Sequence, residues 1–389
     1  MPARREKDGR WRYRKVVHLP DGSRMRISGS PDVNTKLAAE AAERVHIERA
    51  LKEAASGVPL KKEVPTFDKW FNGRFWTEWV VAKKNKPSEV EAKESIYKVH
   101  LKERFGDAKL DEIGVGEVAG FRASLVGKKL SEKRINNILT VLSTPLRYAA
   151  EVRLIPPPPK VGLFKVEQPE IVSWELDEYP RILEAAKAEG LDWHVAACLA
   201  GEAGLRIGEV RALDWERDID LKAGALTVNH QMRHGILGTP KGRTRRTIPM
   251  TETLIEALRG LSTVRRGSVV RNLDGKPKTD GQTTHAIYRI CSRAGLPGRA
   301  WHVLRHSFAT HAALFGVNAW RLQKWMGHKT LTETMRYVHL VDDHRREIPE
   351  HILAAGEGEK DPDRRVLKML GSRGKPVANA NAAQTDKVA

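Results

Sequence analysis

The 389-residue chain is 40% hydrophobic and 30% charged, enough for two or three domains with a substantial core. Its 68 Lys and Arg against 49 Asp and Glu leave a formal charge of +19, which points to a polyanionic partner, nucleic acid first. There is no apolar run of about 18 residues to span a membrane, no apolar stretch near the start to act as a secretory signal, and no disulfide framework in Cys198 and Cys291, which suit a reducing cytoplasm.

Residues 1–55 read as a small sheet followed by a helix. In RWRYRKVVHLPDGSRMRISGS, Trp11, Tyr13 and Val17 alternate with Arg10, Arg12 and Arg14. Pro20-Asp21-Gly22 then breaks the run before a second one that carries Arg24 and Arg26. This predicts a β-hairpin with its turn at Asp21-Gly22, and arginines gathered on one face make it a candidate major-groove reader. A helix follows over 35–55, with Leu37, Ala41, Val45 and Leu51 near one face.

After a linker at 56–65, residues 66–153 predict a helical bundle. Trp70, Phe71, Phe75 and Trp79 fall at helical spacing and read as core. Further helical patterns run over 87–104, 115–126 and 131–152. In the last of these, Ile135, Ile138, Leu139, Leu142 and Leu146 form the buried stripe, leaving Lys133, Arg134 and Arg147 for phosphates. The IPPPPK run at 155–160 can continue no helix and sets a linker over 154–173. Residues 174–352 are mostly helical with a strand-like interruption near 225–250, and 353–389 read as a partly disordered tail. The fold class is mainly α with small β-sheets (α+β).

Four pieces of the third module supply groups suited to a phosphate. AGLRIGEVRALDW sets Arg206 before a helix, and GTPKGRTRRTIPM sets Lys241 in a Gly/Pro-rich turn among Arg243, Arg245 and Arg246, each a candidate DNA-backbone contact. WHVLRHSFATH spaces His302 and Arg305 by three, which on a helix shares one face. MGHKTLTETMRYVHL carries His328 and, nine residues on, Tyr337. Thr330 and Glu333 match a capping box, so a helix starting there carries Tyr337 one to two turns along. His302, His306 and His311 have no suitably spaced acidic or cysteine partner for a metal, and neither a nucleotide-binding phosphate loop nor a two-metal carboxylate cluster occurs.

Such a set can work on a phosphodiester. Two guanidiniums, Arg206 and Arg305, can each offer paired donors to non-bridging oxygens, and donors aimed at developing charge are usually the largest catalytic contribution. His302 and His328 can add hydrogen bonds and proton transfer, Lys241 can protonate a departing 5′ oxygen, and Glu209 and His306 read as structural support. Tyr337 is a nucleophile if positive neighbours or a base offset its pKa of about 10.

The order Arg, Lys, His-x-x-Arg, Gly-His and Tyr resembles the tyrosine recombinase (lambda integrase-like) family, in Arg206, Lys241, His302, Arg305, His328 and Tyr337 together with Gly204, Glu209, His306 and Gly327. Met326 departs from the leucine usual before Gly-His. The resemblance implies an arm-site-binding domain, a helical core-binding domain and a catalytic domain. It also implies a 3′-phosphotyrosyl intermediate that needs no cofactor, double-stranded attachment sites, and a homotetramer on DNA that exchanges a C-terminal segment after about residue 345. An accessory DNA-bending or directionality protein and a bacterial cytoplasmic setting go with it. A type IB topoisomerase and a non-catalytic DNA-binding protein are the rival readings. The N-terminal hairpin and His-x-x-Arg speak against the first, and the complete residue set against the second.

Overall fold

The protein is described by a computed structural model that covers residues 4–6, 8–20, 22, 24–55, 64–239, 245–261, 265–343 and 348–374. The chain divides into two compact units, Met1–Gln168 and Pro169–Ala389.

The first unit opens with strands β1 (Arg4–Arg5), β2 (Trp11–His18) and β3 (Arg24–Gly29), antiparallel in the order β1-β2-β3. His18 pairs with Arg24 and Val17 with Met25, which makes β2 and β3 the arms of a hairpin. The turn expected at Asp21-Gly22 includes Asp21, which lies outside the described residues. Side-chain alternation sends Tyr13, Val17 and Ile27 under helix α1 (Lys36–Ala55), where they pack with Ala39.

The buried face of α1 is not the one its larger apolar residues suggest. Leu37 is 75% exposed and Val45 66%, and Leu51 is exposed too, while Ala39, Glu43 and Ala50 are buried. Small residues let the helix sit close to the sheet. The polar ones beside them are paired: Lys15 bridges Glu43 at 3.2 Å, and the Tyr13 hydroxyl meets His46 Nδ1 at 2.9 Å.

A second core in this unit is helical. Helix α2 (Phe67–Trp70) runs into a π-type segment, Phe71–Val81, interrupted by non-helical backbone at Gly73. Then come α3 (Pro87–Ile96), a π-type turn Tyr97–Leu101, α4 (Lys102–Phe105), α5 (Val115–Gly127) and α6 (Glu132–Glu151). Ser131 caps α6, its hydroxyl accepting from the Arg134 N–H. The stripe Ile135, Ile138, Leu139, Leu142 and Leu146 is buried against Trp70, Phe71 and Phe75. The proline-rich stretch after α6 is held to the same unit: Leu154 and Ile155 enter the bundle core, and Asn136 exchanges two hydrogen bonds with the Phe164 backbone at 2.8 and 2.9 Å.

The second unit carries α7 (Glu178–Glu189), α8 (Leu191–Glu202), α9 (Ile207–Ala212) and α10 (Trp215–Asp218). Strands β4 (Ile219–Asp220), β5 (Ala225–Val228), β6 (Gln231–Arg233), β7 (Ile236–Gly238) and β8 (Arg246–Pro249) follow. They form an antiparallel sheet β4-β5-β8 and a hairpin β6-β7. The chain continues through α11 (Glu252–Leu261), α12 (Asp280–Arg293), α13 (His302–Leu314), α14 (Ala319–Met326) and α15 (Leu331–Asp343) to α16 (Glu350–Gly356) and α17 (Pro362–Ser372). The unit has one core, built around the apolar helix α8.

The segment read as a tail from residue 353 begins inside α16, and α17 is part of the core. Val366, Met369 and Leu370 recur at helical spacing and are buried. Arg373, 1% exposed, donates to Gly201 O at 2.8 Å and to His311 Nδ1 at 2.6 Å, with its guanidinium 4.4 Å from the Tyr179 ring centroid. An overall charged composition hid these four inward positions. Residues 375–389 lie outside the described residues.

Candidate active site

The α8–α9 turn, the start of β8, helix α13 and the α14–α15 turn meet around one buried carboxylate. Glu209, on the first turn of α9, has no solvent exposure. Its Oε2 accepts the Arg206 backbone N–H at 2.9 Å and Arg246 Nη2 at 2.7 Å, and its Oε1 accepts Arg206 Nη1 at 3.0 Å and Arg246 Nη1 at 3.1 Å. Arg305 Nη1 lies 3.9 Å from Oε2. Burial would push this carboxyl up, but the Arg246 hydrogen bonds and charge, with Arg305 and Arg206, bring it down to about 2.

Arg305 faces the same space from α13 and is 2% exposed. It donates to Gly204 O and, at 2.6 Å, to Met326 O, tying the turn before Arg206 to the turn before His328. Burial and the neighbouring Arg206 guanidinium lower it to about 9, against the pull of Glu209, so it remains cationic at neutral pH. Two glycines make the convergence possible. Gly204 (φ +66°) and Gly327 (φ +62°) are both left-handed. A Cβ at 204 would strike the Phe308 ring, and one at 327 would lie 3.0 Å from Arg246 Cδ.

Beyond Gly327, which closes α14, the chain places His328 face to face with Tyr337 of α15, ring centroids 5.8 Å apart and planes 8° from parallel. His328 Nδ1 meets Thr334 Oγ1 at 2.9 Å. Tyr337 is 5% exposed, and its hydroxyl lies 2.7 Å from His306 Nδ1. Burial raises the Tyr337 phenol above its ordinary value, although Arg305, Arg336 and Arg206 pull the other way. Burial likewise lowers the two imidazoles, helped by Arg305 in both cases: His306 to about 4 and His328 to about 3. His302, at the exposed start of α13, meets the His306 ring edge-on at 5.4 Å.

Six of the eight residues singled out for chemistry or its support have thus been accounted for around this centre: Arg206, Glu209, Arg305, His306, His328 and Tyr337. His302 sits at its edge, and Lys241 lies outside the described residues, as does Arg243. Arg245 is exposed, but Arg246 next to it is no surface DNA contact: strand alternation turns it inward, where it is 5% exposed and also donates to Trp325 O at 2.9 Å. The basic run just before it, Lys241, Arg243 and Arg245, masked that role. Its signal was position, since it opens a strand whose Ile248 is also buried.

The candidate DNA contacts fall on exposed surfaces of the first unit. Arg14 is exposed on the face of β2 turned away from α1, and the register puts exposed Arg24 and Arg26 of β3 opposite His18 and Val16 on that face. Arg12 shares the face but is engaged by Glu6 at 2.8 Å and Asp8 at 2.9 Å, while Arg10 is exposed before the strand. On α6, Lys133 and Arg147 are exposed and Arg134 is half-buried. Among the described residues, no group of three or more His, Cys, Asp or Glu is placed to hold a metal ion, and no helix is long and apolar enough to cross a membrane.

The depressed values of His306 and His328 pull the second unit toward acid lability, partly offset by Glu202, which burial raises to about 7. An unfolded imidazole takes up its proton near pH 6.5, whereas His306 and His328 resist until about 4 and 3. Between those limits the unfolded chain binds more protons, so stability falls with pH, and Glu209 adds a loss of the same sign from about pH 4.3 down to about 2. The thermal midpoint should fall on the order of 5–10 °C between pH 7 and pH 4.5. His328→Asn should flatten that dependence, and an unchanged slope would show that His328 does not contribute.

Residues 174–344 match the family model described as the phage integrase family. Among curated proteins, the chain is 31% identical over 159 residues to tyrosine recombinase XerC of Chlorobaculum parvum, covering 37% of this chain and 44% of that protein. It is 34% identical over 107 residues to the integrase of Escherichia phage 186, covering 27% and 28%. The chain thus spans less than half the length of these two relatives. Among solved structures it is similar to a Tn1549 transposon integrase in complex with a circular intermediate DNA (TM-score 0.59, 21% identity, 68% of this chain and 93% of that one). It is also similar to a lambda integrase tetramer bound to a Holliday junction (TM-score 0.56, 19% identity, 86% and 94%). These likenesses establish an α+β fold of integrase type, and residues 174–344 are the part of this chain that resembles the phage integrase family.

Proposed function

We propose that this protein is a site-specific recombinase that cuts and rejoins duplex DNA, with Tyr337 as nucleophile, to integrate or excise a mobile element. The observation that carries the reading is the setting of the Tyr337 hydroxyl, 2.7 Å from an imidazole nitrogen and within the field of Arg305 and Arg206. Attack by Oη on phosphorus gives a 3′-phosphotyrosyl link and a free 5′-hydroxyl, and a partner strand's 5′-hydroxyl reverses the step. Arg206 and Arg305 donate to the non-bridging oxygens as negative charge builds there. His302 and His328 donate further hydrogen bonds, and Lys241 protonates the departing 5′ oxygen. Bond energy is kept in the covalent link, so the reaction uses no cofactor.

In this reading residues 1–55 bind arm-type sites through the arginine-bearing sheet face, and 66–153 bind core sites with Lys133, Arg134 and Arg147. Residues 174–352 carry the catalysis. The lambda integrase tetramer bound to a Holliday junction supports a homotetramer here too. An accessory DNA-bending protein and a bacterial cytoplasmic setting complete the proposal.

Covalent capture tests it. Wild type and Tyr337→Phe are expressed in a host carrying the element, the cells are denatured, and DNA still attached to the protein is sequenced. One or a few defined sequences from wild type alone are the expected result. Scattered sequences would mean topoisomerase action, and no adduct despite footprinted binding would mean a DNA-binding protein that does not cut.

A further inference from the structure

The Tyr337 hydroxyl and His306 Nδ1 are 2.7 Å apart, close enough for a proton to pass directly between them. Both groups are neutral near pH 7, since the phenol is raised and the imidazole lowered. In the tautomer that carries its ring hydrogen on Nε2, Nδ1 presents a lone pair to the phenol, which then donates to it. The other histidines stand differently. His328 lies over the face of the tyrosine ring with its Nδ1 engaged by Thr334, and His302 meets the edge of His306.

We propose that His306 is the base that accepts the Tyr337 proton during strand cleavage. This rests on the reading of Tyr337 as nucleophile. In the step, a lone pair of Oη forms the Oη–P bond as the P–O5′ bond breaks, its electron pair leaving with O5′. The phenolic proton crosses to His306 Nδ1, and O5′ takes a proton from the Lys241 ammonium. Religation runs both transfers backwards, returning one proton to Oη and one to Lys241, so the cycle is balanced.

The charges around His306 make its basicity depend on substrate. On its own helix it faces His302 and Arg305, on α15 Arg336 and Tyr337, and across the α14–α15 turn His328. In the free protein the cationic members of this set, with burial, keep the ring unprotonated, while burial keeps the phenol protonated against the pull of Arg305 and Arg336. A DNA phosphate seated on Arg305 brings negative charge into the same space and offsets that repulsion. The ring then becomes a better base at the moment a proton must be taken.

The test uses the full-length protein and a duplex carrying the sequence recovered by Tyr337-dependent capture. A matched duplex has sulfur in place of the bridging 5′ oxygen at the scissile phosphate, so that its leaving group needs no proton. Single-turnover cleavage is measured for wild type, His306→Ala and His306→Gln, with duplex affinity and thermal midpoint recorded for each. Both variants should cut both duplexes about 10²–10³-fold more slowly than wild type at pH 7, and between pH 7 and 9 their rates should climb about tenfold per unit as phenolate forms unaided. Glutamine can accept the hydrogen bond but not the proton, so near-wild-type cutting by His306→Gln would make His306 a positioning residue and overturn the proposal. Recovery of either variant on the sulfur duplex would overturn it by moving the role to the leaving group. If alanine fails to fold, the glutamine variant carries the test. No adduct from wild type on any DNA would remove Tyr337 as nucleophile and this proposal with it.

Discussion

Alanine at position 209 lowers the stability of the second unit by about 3–5 kcal/mol, the range found when a buried charge loses its partner. Glu209 receives four hydrogen bonds from Arg206 and Arg246, and Arg305 stands 3.9 Å away. Removing the carboxylate leaves two guanidiniums that are 5% and 2% exposed, and a third half-buried, with no negative charge among them. Differential scanning calorimetry of the full-length protein reads the loss. Because Arg246 supplies half of those bonds, Glu209→Ala should cost less in an Arg246→Met background than in the wild type. Equal costs in the two backgrounds would show that the pair is not coupled.

Arg305→Lys should slow cleavage of the recovered site by about 10²–10³ at saturating DNA while changing affinity little, the signature of donors that matter most as charge develops. Charge is conserved in this substitution, but geometry is not. The guanidinium reaches Gly204 O and Met326 O in one plane and still has N–H groups for a phosphate, whereas an ammonium is a single point that cannot bridge both carbonyls and the substrate. Single-turnover rates and equilibrium binding, measured together, separate the two effects. A variant that cuts within threefold of wild type would mean that Arg305 acts through charge alone.

Sequence reached the site because its signals are local. Three-residue spacing sets His302 and Arg305 on one helix, and Gly327 ends α14 where His328 must turn toward Tyr337. The helical stripe of α6 and the alternation in β2 are local in the same way. What sequence could not give depends on who sits opposite. Nothing near Arg246 in the chain shows that Glu209, 37 residues away, will take it out of solvent. On α1 the larger apolar residues pointed to one face, but the sheet beneath accepts alanines and a paired glutamate on another. Helix α17 hid for the same reason, since its few apolar positions gain meaning only against α11 and α13, which carry Leu254 and the Arg373 partner His311.

The place of α17 in that core bears on how the protein is made. It is synthesised after every other described element of the second unit, yet its Arg373 holds Gly201, 172 residues earlier, and Thr253 donates to Gly371 O at 2.6 Å. The unit therefore cannot close its core until α17 has been synthesised and has left the ribosome. A chain interrupted before α17 lacks one wall of the domain that bears Tyr337, so the closed core around that residue waits on an element made long after it is first needed.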